Sequence, residues 1–94
     1  MSSQDKVVIT CALTGVLTDP AQHQVPVTPA QMAAAAREAA DAGATVVHCH
    51  YRMQGPGQGR FPTWDPDTVA EIDAAIRAAV PDILVNMSTG VMGP

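Results

Sequence analysis

The sequence predicts an α/β fold in which three parallel strands alternate with two helices. Short apolar runs rich in β-branched residues alternate with two segments of helical periodicity. The apolar share of the chain is 47%, whereas the aromatic share is only 3%. Much of the apolar content is therefore Ala and Val, and Ala-rich helices pack closely on Val-rich strands. Strands separated by helices of this length pair in parallel through right-handed crossovers.

The strands are predicted near residues 7–13, 45–51 and 83–87. The first is followed by a loop with Gly15, Pro20 and Pro26 as breakers, and the second by a Gly- and Pro-rich loop. The third strand leads into a turn that contains Ser, Thr and Gly. The order along the chain is therefore β-α-β-α-β.

The first helix is predicted near residues 29–42. Thr28 is the expected N-cap, Pro29 occupies the first helical position, and Gln31 completes a capping box. Gly43 is the expected C-terminal stop.

The second helix is predicted near residues 66–80. Asp65 can cap it, and Asp67 favours the positive end of the helix dipole. Pro81 then ends it.

Charge and cysteine content exclude several classes of function. The net charge is −4, and the five basic residues are scattered, so a nucleic-acid partner is not expected. No apolar run resembles a signal peptide or is long enough to cross a membrane. Cys11 and Cys49 form no CxxC pair and indicate no secreted disulfide framework. We therefore expect a cytoplasmic protein.

The strongest candidate for chemistry is His48-Cys49-His50, near the end of the second strand. Because side chains alternate across a strand, the two histidines point the same way, with Cα atoms about 6.5 Å apart. Two imidazoles so placed can converge on one zinc ion, and parallel α/β proteins put their sites at this end of the strands. The alternative is a pair of core or surface histidines without metal. His23 is expected to be an exposed loop residue rather than a third ligand.

Two further features flank the histidines. Hydroxyls and backbone N–H groups at Ser88-Thr89-Gly90 suit a carboxylate or carbonyl oxygen, although an ordinary strand-to-loop turn has the same composition. Arg52 is close enough in sequence to contact an anionic substrate, or it forms a salt bridge at the rim. The loop between residues 52 and 64 is long, which favours a functional role.

The length of the chain suggests a part of a larger domain. Three parallel strands leave two open sheet edges, and a (β/α)₈ TIM barrel needs about 250 residues. We therefore expect residues 1–94 to be the N-terminal β-α-β-α-β part of one TIM-barrel domain.

Taken in order, several segments resemble the β-keto acid cleavage enzymes, the family that includes 3-keto-5-aminohexanoate cleavage enzyme. The resemblance covers nearly the whole chain. The matching segments are residues 9–15 (ITCALTG), 26–29 (PVTP), 42–44 (AGA), 48–52 (HCHYR), 81–86 (PDILVN) and 88–90 (STG).

The resemblance implies a TIM barrel, assembled as a homotetramer. It implies a zinc ion held by His48, His50 and a Glu from a late strand outside this chain. It also implies a substrate-binding Ser at position 88, with Thr89 and Gly90 in the same turn. The implied reaction joins a β-keto acid to acetyl-CoA and yields acetoacetate and a new acyl-CoA. The other catalytic residues are expected in the C-terminal part, so the isolated chain should bind zinc weakly and be inactive.

Three positions depart from the family pattern. Leu17 stands where the aminohexanoate enzyme has a Glu that helps to bind an amino group, which favours a neutral or apolar substrate. Val91 replaces a second Gly, and Met53 replaces an Asp.

Two other functions stay open at the level of sequence. One is another HxH metal-dependent barrel enzyme, such as a hydrolase, although those often carry the motif on the first strand. The other is a non-catalytic half-barrel module that needs a partner chain.

Overall fold

A computed structural model describes residues 6–15 and 18–88. Its elements follow the predicted order: β1 (Thr10–Ala12), α1 (Pro29–Asp41), β2 (Val46–Cys49), α2 (Pro66–Ala79) and β3 (Leu84–Met87). The strands form one parallel sheet in the order β1-β2-β3. Parallel strands with intervening helices confirm the α/β class.

Both helices begin as the sequence predicts. The Thr28 side chain accepts a hydrogen bond from the Gln31 backbone N–H, and the Gln31 side chain accepts one from the Thr28 N–H. Asp65 caps α2 by accepting from the Thr68 N–H at 3.0 Å. Gly43, directly after the C-cap of α1, has φ of +113°, a conformation that glycine adopts without steric cost.

The strands are shorter than predicted. Ile9 and the two valines before it lie outside β1 and are exposed. His50 and Tyr51 lie beyond the end of β2. There the chain turns into the loop that leads to α2, where Thr63 donates its N–H to the Tyr51 carbonyl at 2.9 Å. A strand extends only as far as a neighbouring strand supplies hydrogen-bond partners, and apolar sequence alone does not report that limit.

The two helices cover one face of the sheet. The buried core joins side chains of α1, β2 and α2 with Tyr51, just after β2, and with residues that precede β3. Its members are Met32, Ala36, Val47, Cys49, Tyr51, Ile72, Ile76, Val80 and Ile83. The opposite face carries Thr10, Ala12, Leu84 and Asn86, which are exposed, and half-buried Val46 and His48. We call this second face the open face. No helix among the described residues is long and apolar enough to cross a membrane.

Candidate metal and substrate site

The two histidines lie together on the open face, as the sequence predicts. His48 belongs to β2, and His50 is the first residue after the end of that strand, two positions along the chain from His48. Their ring centroids are 5.0 Å apart and the rings are nearly perpendicular, at 79°. Both side chains are half-buried. The shared orientation is confirmed, whereas metal binding stays a prediction.

Asn86 holds the ring of His48. The strand register places these residues directly opposite each other on β2 and β3, and Asn86 Oδ1 lies 2.6 Å from His48 Nδ1. Because an amide oxygen only accepts hydrogen bonds, Nδ1 carries the proton in this arrangement. The lone pair is then on Nε2, the nitrogen left available to a metal ion.

The surroundings of His50 favour its neutral form. Burial lowers the pKa of this imidazole, and the neighbouring His48 and Arg52 lower it further. A neutral imidazole is the form that binds metal ions.

Cys49 and Tyr51 point away from the histidines, into the core beneath the helices. Cys49 is completely buried, and burial, with a smaller effect of Asp73, raises the pKa of its thiol to about 12. The Tyr51 hydroxyl donates to Asp73 Oδ1 at 2.7 Å. Cys49 is therefore not placed to share an ion with the histidines. Over residues 6–15 and 18–88, no three His, Cys, Asp or Glu residues come together as a metal site.

Arg52 ties two loops together. Its side chain is 1% exposed. Nη1 donates to the carbonyls of Thr18 and Gly59, both at 2.9 Å, and Nη2 donates to the Gly15 carbonyl at 2.8 Å. Gly15 and Thr18 belong to the loop after β1, and Gly59 belongs to the loop after β2.

This arrangement gives Arg52 a role that the sequence did not predict. The rim salt bridge considered above is not formed within the described part of the chain, where Arg37 and Asp41 make the ion pair. The contact with substrate stays a prediction, and a substrate would reach the guanidinium only if these loops opened.

A family model described as beta-keto acid cleavage enzyme matches residues 6–94. The chain belongs to the beta-keto acid cleavage enzyme family. This confirms the resemblance inferred from the motifs. The matched region contains every residue of the site described above.

Named relatives of this family include acetyl-CoA-dependent transferases. A 3-dehydrocarnitine:acetyl-CoA trimethylamine transferase from Rhizobium meliloti is 43% identical over 94 residues, which cover 99% of this chain and 30% of that protein. A 3,5-dioxohexanoate:acetyl-CoA acetone transferase from Paraburkholderia graminis is 41% identical over 91 residues, covering 96% and 28%. A 3-keto-5-aminohexanoate cleavage enzyme from Fusobacterium nucleatum is 34% identical over 87 residues, covering 92% and 30%. The chain therefore spans less than a third of the length of these relatives.

Of the remaining positions that were compared with the family pattern, the structure describes Ser88 and Met53. Ser88 follows β3, is half-buried, and donates its backbone N–H to the Cys49 carbonyl at 2.9 Å, which keeps it beside the end of β2. Met53 is exposed in the loop after β2. The predictions for Leu17, for Thr89 and Gly90, and for Val91 lie outside the described residues.

His23 is exposed in the loop between β1 and α1, where its backbone N–H bonds to the Asp19 carbonyl at 2.9 Å. Its predicted position as an exposed loop residue is confirmed. Asn86, in contrast, is a site residue that the sequence pattern alone does not indicate. The signal that identifies it is the strand register, because a parallel ladder places it opposite His48.

Proposed function

We propose that this chain is the N-terminal part of a zinc-dependent (β/α)₈ barrel enzyme that cleaves a β-keto acid with acetyl-CoA. The observation that carries the proposal is the His48–His50 pair on the open face, at the carboxyl end of a parallel strand. In barrel enzymes this end of the strands holds the active site. Membership of the family supplies the class of reaction.

The donor set fits zinc. Two imidazoles on one tetrahedral zinc, with Zn–N bonds of about 2.0–2.1 Å, have ring centroids on the order of 5 Å apart. The observed separation is 5.0 Å. His48 and His50 would hold the ion, and a Glu from a late strand beyond this chain would be the third protein ligand. When bound, zinc would supply Lewis acidity to the oxygens of the keto acid.

The sheet fits one sector of a barrel. Its helices lie on one face only, and large apolar side chains such as Leu84, which is 65% exposed, lie on the other. A barrel encloses that second face and pairs both edge strands. We expect the complete protein to form a homo-oligomer, as the resemblance implies.

The proposed reaction exchanges acyl groups. A β-keto acid, R–CO–CH₂–COO⁻, and acetyl-CoA yield acetoacetate and the acyl-CoA R–CO–SCoA. Ser88, Thr89 and Gly90 would bind a carboxylate or carbonyl oxygen of the substrate. Arg52 would contribute to substrate binding either by direct contact or by holding the loops after β1 and β2 in place.

The test is metal content and turnover of the complete protein. We expect about one zinc per chain by elemental analysis, and acyl-CoA formation from a panel of β-keto acids with acetyl-CoA. His48→Ala and His50→Ala should each lower zinc content and abolish turnover. His23→Ala is the matched control, because this exposed histidine lies on a different loop, and it should retain both.

Other outcomes point to other functions. Zinc retained in both His48→Ala and His50→Ala would refute the proposed metal site. Acid release from the substrates without acetyl-CoA would favour a hydrolase. The isolated 94-residue chain is expected to bind zinc weakly and to show no turnover, so activity from it would contradict the need for a late-strand ligand.

A further inference from the structure

We infer that Asn86 is a positioning residue of the proposed metal site, which fixes the tautomer and the orientation of His48 and leaves Nε2 as the nitrogen that would bind a metal ion. The inference rests on the proposed function, because it concerns the same pair of histidines. Its basis is the 2.6 Å contact between Asn86 Oδ1 and His48 Nδ1.

The register of the parallel strands makes Asn86 the cross-strand neighbour that can accept a hydrogen bond from His48 Nδ1–H. His48 has two partners in register, Ala12 on β1 and Asn86 on β3. The Ala12 side chain is a methyl group and accepts no hydrogen bond. A side-chain acceptor for Nδ1–H across the sheet therefore comes from β3.

A hydrogen bond of this kind matters because the two ring nitrogens are not equivalent. A histidine whose Nδ1–H is held by an acceptor keeps its lone pair on Nε2, and the ring is fixed about its side-chain torsions. Without the acceptor, part of the population protonates Nε2 instead and loses the ligand nitrogen. Zinc affinity would then be lower, because only part of the His48 population has the correct tautomer and ring orientation.

The neutral amide has a further effect on the site. A carboxylate at position 86 would accept the same proton and would add a negative charge beside the ion, which raises the basicity of the ligand. Asn86 provides orientation without that charge. We therefore expect the carboxylate variant to keep the tautomer, whereas an alkyl side chain should lose it.

The experiment uses the complete protein and zinc as the probe. Zinc affinity is measured by competition with a chromophoric chelator for wild type, Asn86→Ala, Asn86→Leu and Asn86→Asp. Removal of the acceptor by Ala or Leu should weaken zinc binding about 10–100-fold, as is typical for the partners of metal-bound histidines. Asn86→Asp should restore affinity to within about 3-fold of wild type or better.

A second readout needs neither metal nor turnover. In the metal-free protein labelled with [¹⁵N]histidine, wild type and Asn86→Asp should show the Nδ1-protonated tautomer of His48 by NMR. Asn86→Ala should shift toward the Nε2-protonated form. A residue that merely supports folding would not produce this specific change.

Gln54→Ala serves as the matched control. Its side-chain amide lies in the loop after β2 and donates to the backbone carbonyls of Val27 and Arg52. This control also removes an amide near the same end of the sheet, but one that does not contact an imidazole. It should leave the tautomer unchanged and alter zinc affinity less than about 3-fold.

The outcomes separate the two proposals. Equal zinc affinity and tautomer in Asn86→Ala and Gln54→Ala would overturn the role of Asn86, while zinc loss in His48→Ala and His50→Ala would leave the proposed function standing. Zinc binding that is unchanged in His48→Ala and in His50→Ala would overturn the proposed metal site and, with it, the role of Asn86.

Discussion

Replacing Arg52 by Met should destabilise the protein strongly, because its guanidinium is buried and holds two loops at once. The three bonds to the carbonyls of Gly15, Thr18 and Gly59 have lengths of 2.8–2.9 Å. A hydrogen bond to a charged group contributes about 1.5–3 kcal/mol to stability. Their sum is offset by the cost of removing a charge from water, which methionine does not incur. We therefore expect a net loss of about 2–4 kcal/mol in the free energy of unfolding.

The measurement is urea-induced unfolding of the complete protein, followed by circular dichroism. Arg60→Met is the matched control, since Arg60 is exposed and its guanidinium carbon lies 4.9 Å from the centroid of the Phe61 ring. Loss of an exposed cation–π contact costs about 1 kcal/mol or less. Arg52→Lys should recover only part of the stability, because an ammonium group cannot reproduce the fork of a guanidinium.

Equal unfolding midpoints for Arg52→Met and Arg60→Met would refute the loop-bridging role. Unchanged stability together with a raised KM for the keto acid would instead assign Arg52 to direct substrate binding. Loss of stability with unchanged zinc affinity is the pattern that the observed contacts support.

Three further changes test other parts of the fold. Tyr51→Phe should cost about 1–2 kcal/mol in the free energy of unfolding, because it removes the hydroxyl that donates to Asp73 at 2.7 Å. Thr28→Ala should cost about 1 kcal/mol through loss of the N-cap of α1. Iodoacetamide should modify Cys49 only after urea denaturation, as read by peptide mass spectrometry, because the thiol is completely buried and the thiolate is the reactive form.

Each of these expectations has its own control. A double-mutant cycle of Tyr51→Phe with Asp73→Ala should give a coupling energy of about 0.5–3 kcal/mol, and additivity of the two changes would argue against the bond. Thr28→Ser should restore the cap, so a deficit equal to that of Thr28→Ala would contradict it. Rapid modification of Cys49 in the native protein would contradict its burial.

The helices could be predicted closely because their ends are encoded locally. The Thr-Pro and Asp-Pro pairs at the start of α1 and α2 combine a side-chain cap with a residue already fixed in helical φ. For both helices, the predicted first and last residues therefore agree with the structure to within one residue. Strand ends depend on partners far away in sequence, and β1 is accordingly only three residues long.

The candidate site likewise has features that the local sequence encodes and features that depend on distant partners. The common orientation of His48 and His50 follows from strand alternation alone. The contact of His48 with Asn86 requires the register of β2 on β3, a pairing across 38 positions. The role of Arg52 depends on where carbonyls of two irregular loops lie, and no periodicity in the sequence encodes that.

The alternation of β2 places neighbouring residues in two different environments. Even-numbered Val46 and His48, with His50 just beyond the strand, lie on the open face, whereas odd-numbered Val47 and Cys49 are buried under the helices. A substitution at an odd position therefore changes the packing against α1 and α2 directly. A substitution at an even position leaves that packing in place and changes the face that would carry the proposed metal site.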